Sequence, residues 1–170
     1  MVVLTGVENA GKTTLAEGIA SALHWDLMPE AARTDLRVID GTIDRSHLQH
    51  MLERFNQRLS ALITTASNGI VCDTGALVLD MWSRHAFGTG LQGTENTMEL
   101  AHLHLLCNTL PKWEPDPLRS MPLLADRIGL ESAYRKRLTQ QGTVFCEIAD
   151  ARPPERLAEA LRCIRHHCAS

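Results

Sequence analysis

Residues 6 to 14 read Gly-Val-Glu-Asn-Ala-Gly-Lys-Thr-Thr, and they follow directly on the apolar run Val2-Val3-Leu4. The spacing Gly6-x-x-x-x-Gly11-Lys12-Thr13 makes a strong demand on the backbone. Glycines let the chain wrap tightly, so that successive N–H groups turn towards one concave side. A helix starting near Lys12 brings the positive end of its dipole to the same place. Such a loop holds phosphate oxygens when a buried strand leads into it and a helix leads out. Both flanks have that character here, which sets the competing reading, a plain glycine turn, well behind. Within this pattern Lys12 reaches the β- and γ-phosphates of a nucleotide, and the Thr13 hydroxyl ligates Mg²⁺.

The rest of the chain alternates in the same way. A helix is expected from about Lys12 to Leu23, then a weaker strand in "WDLMPE" ending near Glu30. Residues 31–43 read as loop or short helix, and Arg33, Asp35, Arg37 and Asp40 suit the mouth of a cleft better than a core. Leu48, Met51, Leu52, Phe55, Leu59, Leu62 and Ile63 recur at three- and four-residue steps, which makes one apolar helical stripe for core packing. Asn68-Gly69 stops that helix. "GIVCDT" reads as a buried strand running into Asp73, followed by a helix over about 77–86. The Gly-rich stretch "FGTGLQGTEN" (87–96) is expected to be a mobile loop. A strand over 101–108 precedes a segment, 110–127, whose four prolines forbid one continuous helix. A helix over 130–141, a strand over 143–149 and a closing helix after Pro153-Pro154 complete the chain; Leu157, Ala160, Leu161 and Ile164 share one face of that last helix. Strands alternating with helices predict an α/β fold, a parallel sheet covered by helices on both faces. The 170 residues suit one domain, 1–170, with no repeat and no linker.

Composition narrows the partners. The net charge is −3 with no long basic run, which argues against nucleic acid as a main partner. No stretch of 18 apolar residues offers a membrane span. The loop begins so early that no secretory signal fits before it, and a cytoplasmic setting is expected. Cys72, Cys107, Cys146, Cys163 and Cys168 form no CxxC pair and read as buried free thiols in a reducing compartment. His102 and His104 share a strand face, and His47 and His50 a helix face; neither pair has the further ligands that zinc needs.

Several side chains are candidates for chemistry around the loop. Asp73 ends an apolar strand, where a carboxylate can hold Mg²⁺, bind a substrate hydroxyl or simply cap the next helix. Glu30 ends another predicted strand. In a parallel sheet the carboxyl ends of the strands share a rim, so Glu30 and Asp73 could flank one cleft and either could take a proton from an attacking hydroxyl. Arg119 and Arg127 lie in or beside the proline-rich segment. They could neutralise charge on a transferred phosphoryl group from a closing loop, or remain solvated surface arginines. Trp113 could stack on a flat ring or anchor the loop.

Taken in order, "GVENAGKTTLAEGIA", "PEAAR", "IVCDT" and "LLCNTLPKWEPDPLRS" resemble the ribosylnicotinamide kinase domain of the NadR-like proteins, P-loop kinases of an AAA-like ATP-binding family. The likeness covers nearly the whole chain. The phosphate loop is generic; the Glu-x-x-Arg, Asp-Thr and Trp-x-x-Asp-x-x-Arg elements together are much more specific. The resemblance implies an adenylate-kinase-like, three-layer fold with a five-stranded parallel sheet ordered 2-3-1-4-5 and a lid-like segment near 110–130. It implies phosphoryl transfer from Mg·ATP to the 5′-hydroxyl of nicotinamide riboside, a small nucleoside-like partner. By the same likeness, ATP would lie on Gly6, Glu8, Asn9, Ala10, Gly11, Lys12, Thr13 and Thr14. Glu30 and Arg33 would stand at the substrate end, Thr13 and Asp73 at Mg²⁺, and Trp113, Asp116 and Arg119 on the lid side. Two positions depart from the family: Ala31 stands where an aromatic residue is common, and Gly75 where a second carboxylate is common. The NadR proteins also carry a nucleotidylyltransferase domain before the kinase, and this sequence starts at the kinase strand, so it is not expected to make NAD by itself. A different class of function fits the loop too: a P-loop ATPase or nucleotide sensor without an acceptor, with 110–127 as a partner surface. A GTPase fits less well, because "CNTLPKWEPD" does not match the Asn-Lys-x-Asp element that reads guanine.

Overall fold

The computed structural model of the chain describes residues 1–116 and 119–168. Pro117, one of the four prolines of the 110–127 segment, lies outside the described residues. Strand β1 (Val2–Thr5) is buried along its whole length, and it is the middle strand of the sheet. Four strands flank it: β2 (Asp26–Met28), β3 (Ile70–Cys72), β4 (Leu103–Cys107) and β5 (Phe145–Ile148). All pairs are parallel and the order is β2-β3-β1-β4-β5. This is the three-layer order that the motif resemblance implies. Strands buried on both faces read as apolar runs, which is why Val2-Val3-Leu4 and Leu105-Leu106-Cys107 carry no polar alternation; His104 is the buried polar residue of β4.

Helices α1 (Lys12–Leu23), α3 (Arg45–Thr65), α4 (Ala76–Phe87), α6 (Leu124–Gln140) and α7 (Pro153–Cys168) supply the crossovers and cover the sheet. Residues 31–43 hold a 3₁₀ turn, Ala31–Thr34, and a one-turn helix α2 (Leu36–Ile39), which Asp35 caps by accepting from the N–H groups of Arg37 and Val38. The α3 stripe is buried from Leu48 through Leu59, whereas Ile63 at its far end is 48% exposed. The parallel topology places the turns after β1, β2, β3, β4 and β5 on a single rim.

Two segments differ from the sequence reading. The stretch 87–96 is not a free loop. It leads into helix α5 (Thr94–Met98), and Leu91 is buried against Leu48, Met51 and Leu52. The cause is Asp80, a fully buried carboxylate on α4. It accepts from the Leu91 N–H at 2.7 Å and from Arg84 Nε at 2.7 Å, and Ser83 Oγ donates to the Thr89 carbonyl. The helix expected over 130–141 also begins earlier, because α6 starts at Leu124 and its first turns take up 124–130. The five cysteines are free. Cys72 and Cys107 are buried as expected, while Cys146, Cys163 and Cys168 are half-buried.

His104 on β4 is buried against β1, with its Nδ1 3.1 Å from Thr5 Oγ1. Burial disfavours the imidazolium and pushes its pKa from 6.5 down to about 4. The unfolded chain therefore binds this proton first. The stability it protects is full above pH 6.5 and is lost as the pH falls towards 4, up to roughly 3 kcal/mol. Urea unfolding of wild type and His104→Gln at pH 7.5, 6 and 5 should show a steeper fall for wild type; parallel curves would show that His104 titrates normally.

Candidate active site

The site begins where the chain leaves β1. Gly6 has φ +142°, and a Cβ there would stand 2.6 Å from the Cys107 carbonyl oxygen on β4. Only glycine allows the loop to turn away so close to the neighbouring strand. The loop ends at Gly11 (φ 69°), and no side chain caps the start of α1. The first N–H groups of α1 are thus left for an anion. Lys12 is largely buried and folds back over the loop, its Nζ donating to the carbonyls of Gly6 at 3.0 Å and Val7 at 2.7 Å.

A cleft of about 1150 Å³ opens over this loop and extends to either side of β1. On the β5 side its wall is Gly18 of α1 with Ala151, Pro153, Pro154, Arg156 and Leu157. On the β2–β3 side it is bounded by Glu30–Arg33, by Leu48, Met51 and Phe55 of α3, and by Val78, Leu79 and Trp82 of α4. Thr74 and Gly75, just after β3, and Leu110, Glu114, Asp116 and Arg119, after β4, complete the lining. Ala31 and Gly75, the two positions that depart from the family pattern, both face this space.

Of the two strand-end carboxylates Glu30 lines this cleft, and Asp73 is buried beside it, close enough to act on Glu30. Burial raises the Glu30 pKa above its ordinary value; Lys12 and Arg33 oppose the shift and Asp73 adds to it. Burial likewise raises Asp73, with the Thr13 hydroxyl, Lys12 and Arg33 pulling the other way. A carboxylate held above its usual range is better matched to accepting a proton near neutral pH. Asp73 Oδ1 is buried without a hydrogen-bond partner. An unpaired carboxylate oxygen beside the Thr13 hydroxyl is a hard-oxygen donor set, and it fits Mg²⁺.

An ionic chain crosses the mouth. Arg33 lies 3.3 Å from Glu30 and 3.3 Å from Asp116, and Asp116 is 3.9 Å from Arg119. Arg119 also donates to Asn9 Oδ1 at 2.8 Å, and Asn9 Nδ2 donates to the Lys112 carbonyl at 2.6 Å. Glu8 accepts from the Met121 N–H. The phosphate loop and the segment after β4 are therefore joined through Glu8 and Asn9. Arg127 and Trp113 take other places. Arg127 is 1% exposed and donates to the carbonyls of Met121, Pro122 and Leu110, with its guanidinium 4.9 Å from the Trp113 ring. The pair braces the base of the segment, and neither side chain lines the cleft. Sequence reading passes over Arg156, because an arginine in the first turn of an amphipathic helix looks solvated; here it is buried against the loop.

A family model described as an AAA domain matches residues 1–156. The chain belongs to that family. Among solved structures, the NadR protein in complex with NR is similar over 99% of this chain and 51% of its own, with a TM-score of 0.77 at 16% identity. The NadR protein in complex with NAD and AMP-PNP gives 0.70 at 17% identity over 99% and 49% of the two chains. Deoxyadenosine kinase from M. mycoides with products dCMP and dCDP gives 0.65 at 13% identity over 97% and 98%. This chain spans about half the length of the NadR chains it matches. At these identities the likeness is one of fold. No curated protein matches the sequence.

Asp73 carries a cost that can be measured. Its folded pKa is raised, so the native state holds this proton more tightly than the unfolded chain, and stability declines as the pH rises through the folded value. Asp73→Asn removes that decline. Its thermal midpoint at pH 7.5 should exceed that of wild type, with a smaller difference at pH 4. An equal or lower midpoint at pH 7.5 would mean that the carboxylate is held by partners that compensate its burial.

Proposed function

We propose that the chain is an ATP-dependent small-molecule kinase acting on a nucleoside-like hydroxyl, with nicotinamide riboside as the preferred acceptor and nicotinamide mononucleotide as product. The observation that carries this reading is that Glu30 lines the same cleft as the phosphate loop, with Asp73 buried just behind it beside Thr13 and Lys12, and that this cleft continues beyond the loop on the β2–β3 side. A hydrolysing loop also uses carboxylates to orient water, so what favours an acceptor is the arm of the cleft that runs from the loop past Glu30 to Met51, Phe55 and Trp82, room that a water molecule does not need. The acceptor identity rests on the Glu-x-x-Arg, Asp-Thr and Trp-x-x-Asp-x-x-Arg elements and on the fold likeness to a NadR protein solved with NR.

In this scheme the N–H groups from Gly6 to Thr14 receive the phosphates. Lys12 exchanges its contacts with the Gly6 and Val7 carbonyls for phosphate oxygens, so its ammonium has hydrogen-bond acceptors both before and after binding. Thr13 and Asp73 would hold Mg²⁺, which when bound neutralises charge on the phosphate oxygens. The acceptor hydroxyl oxygen attacks the γ-phosphorus, the bond to the bridging β,γ-oxygen breaks, and the hydroxyl proton passes to Asp73 or Glu30. Arg119, held near the loop by Asn9, offsets charge on the moving phosphoryl group. Arg33 and Asp116 hold the acceptor side.

The test is ³¹P NMR of the protein with Mg·ATP and a panel of nucleosides that includes nicotinamide riboside. A new phosphomonoester is expected with nicotinamide riboside, and Lys12→Ala should abolish it while leaving circular dichroism unchanged. Arg119→Ala and Asp73→Asn should each lower kcat by on the order of 10²-fold. ADP and free phosphate with no ester for any acceptor would replace the kinase by an ATPase or sensor.

A further inference from the structure

The Ala10–Gly11 peptide of the phosphate loop is held from outside the loop. Arg156 stands in the first turn of α7 and is only 3% exposed. Its Nη2 donates to the Ala10 carbonyl at 2.8 Å, and its Nη1 to the Asp150 carbonyl at 2.6 Å. Its Nε is buried without a partner, and a Cβ placed on Gly11 would lie 3.9 Å from it. A guanidinium withdrawn from water in this way is expensive unless it is fixing something, and its removal would leave a buried carbonyl unpaired.

What it fixes follows from peptide geometry. In a planar trans peptide the C=O and the next N–H point in opposite directions. Arg156 holds the Ala10 oxygen on the α7 side, so the Gly11 N–H is aimed away from α7, towards the concave side of the loop. The same turn of α7 carries Pro153, Pro154 and Leu157 into the cleft wall, and Leu157 covers Gly18 on α1, where an added Cβ would meet it at 3.3 Å. One side chain therefore ties that wall, the turn at Asp150 and the phosphate loop into one unit.

We propose that Arg156 is a positioning residue for the nucleotide: it keeps the Ala10–Gly11 peptide turned to receive phosphate and sets the distance from the loop to the wall of Pro153, Pro154 and Leu157. The role rests on the reading of the loop as the ATP site, and it is independent of the acceptor. A merely structural arginine would lower the melting temperature and leave the affinity of the folded protein for phosphate unchanged.

The experiment is calorimetric titration of Mg·ATP, and separately of Mg·tripolyphosphate, into wild type, Arg156→Ala, Arg156→Lys and Leu157→Ala, with folding checked by circular dichroism. Arg156→Ala should weaken both ligands by on the order of tenfold. Arg156→Lys, which keeps the charge but not the fork that spans two carbonyls, should fall between it and wild type. Leu157→Ala should weaken ATP and leave tripolyphosphate within about twofold, since it touches only the wall. If Arg156→Ala fails to fold, the lysine variant carries the comparison. Arg156 variants that bind both ligands as tightly as wild type overturn the proposal alone. Wild type that binds neither ligand overturns the reading of the loop, and the proposal with it.

Discussion

Everything in the cleft depends on the close passage of the chain over β4 at Gly6. With 2.6 Å between a would-be Cβ and the Cys107 carbonyl, the loop can lie against the sheet only because residue 6 has no side chain. That closeness puts the loop between the ends of β3 and β4, within reach of Asp73 on one side and of the segment after β4 on the other. A larger residue would lift the loop off the rim. The N–H groups, Lys12 and the two carboxylates would then no longer stand together. The order β2-β3-β1-β4-β5 supplies the frame, since a middle strand with parallel neighbours on both sides is what allows five turns to meet at one rim.

The rim is built against stability. Asp73 is buried and Glu30 half-buried, burial raises both, the Asp73 charge raises Glu30 further, and Asp73 Oδ1 has no hydrogen-bond partner. In a core such an arrangement would be replaced by apolar residues at little loss. At a cleft the proposed function would use it as a pair of proton acceptors and a hard-oxygen site, and the cost is offset by the apolar core beneath, from Val2 and Leu4 through Leu105 and Ile148. His104 lies in that same core, next to Thr5, so acid weakens the sheet from behind while it protonates the site in front.

Local chemistry made much of this legible in the sequence. The loop declares itself because its glycines and lysine must stand at fixed spacing, and the strands because fully buried parallel strands are apolar runs. Glu30 and Asp73 were recognisable as strand ends on one rim, and Glu8 and Asn9 as members of the loop. What escaped was decided by distant contacts. The stretch 87–96 has the composition of a mobile loop, yet one buried carboxylate, Asp80, orders it from eleven residues away in sequence. Arg127 has the composition of a lid arginine, yet three carbonyls and the Trp113 ring take its guanidinium. Arg156 carries no local signal, because its partners are a loop carbonyl near the start of the chain and a turn that only the folded sheet brings beside it. Polar side chains that bond to backbone carbonyls across the fold leave no periodic trace.

These backbone-directed contacts suggest how the cleft could move without losing its shape. Arg127 bonds to carbonyls at the base of the segment after β4, and Arg156 to carbonyls of the loop and of the Asp150 turn. Both are buried, so both anchors belong to the rigid part of the molecule. The contacts between segment and loop are of another kind. Asn9 holds Arg119 and the Lys112 carbonyl, and Arg33 joins Glu30 to Asp116, all at the partly exposed mouth. Ion pairs there are individually weak and can be exchanged for phosphate oxygens at small net cost. On the proposed reading, Arg119 would exchange its bond to Asn9 for phosphoryl oxygens, while the buried Arg127 and Arg156 hold the base of the segment and the loop. On that reading the buried arginine anchors would keep the seat of the nucleotide while the half-exposed contacts at the mouth give way to the acceptor.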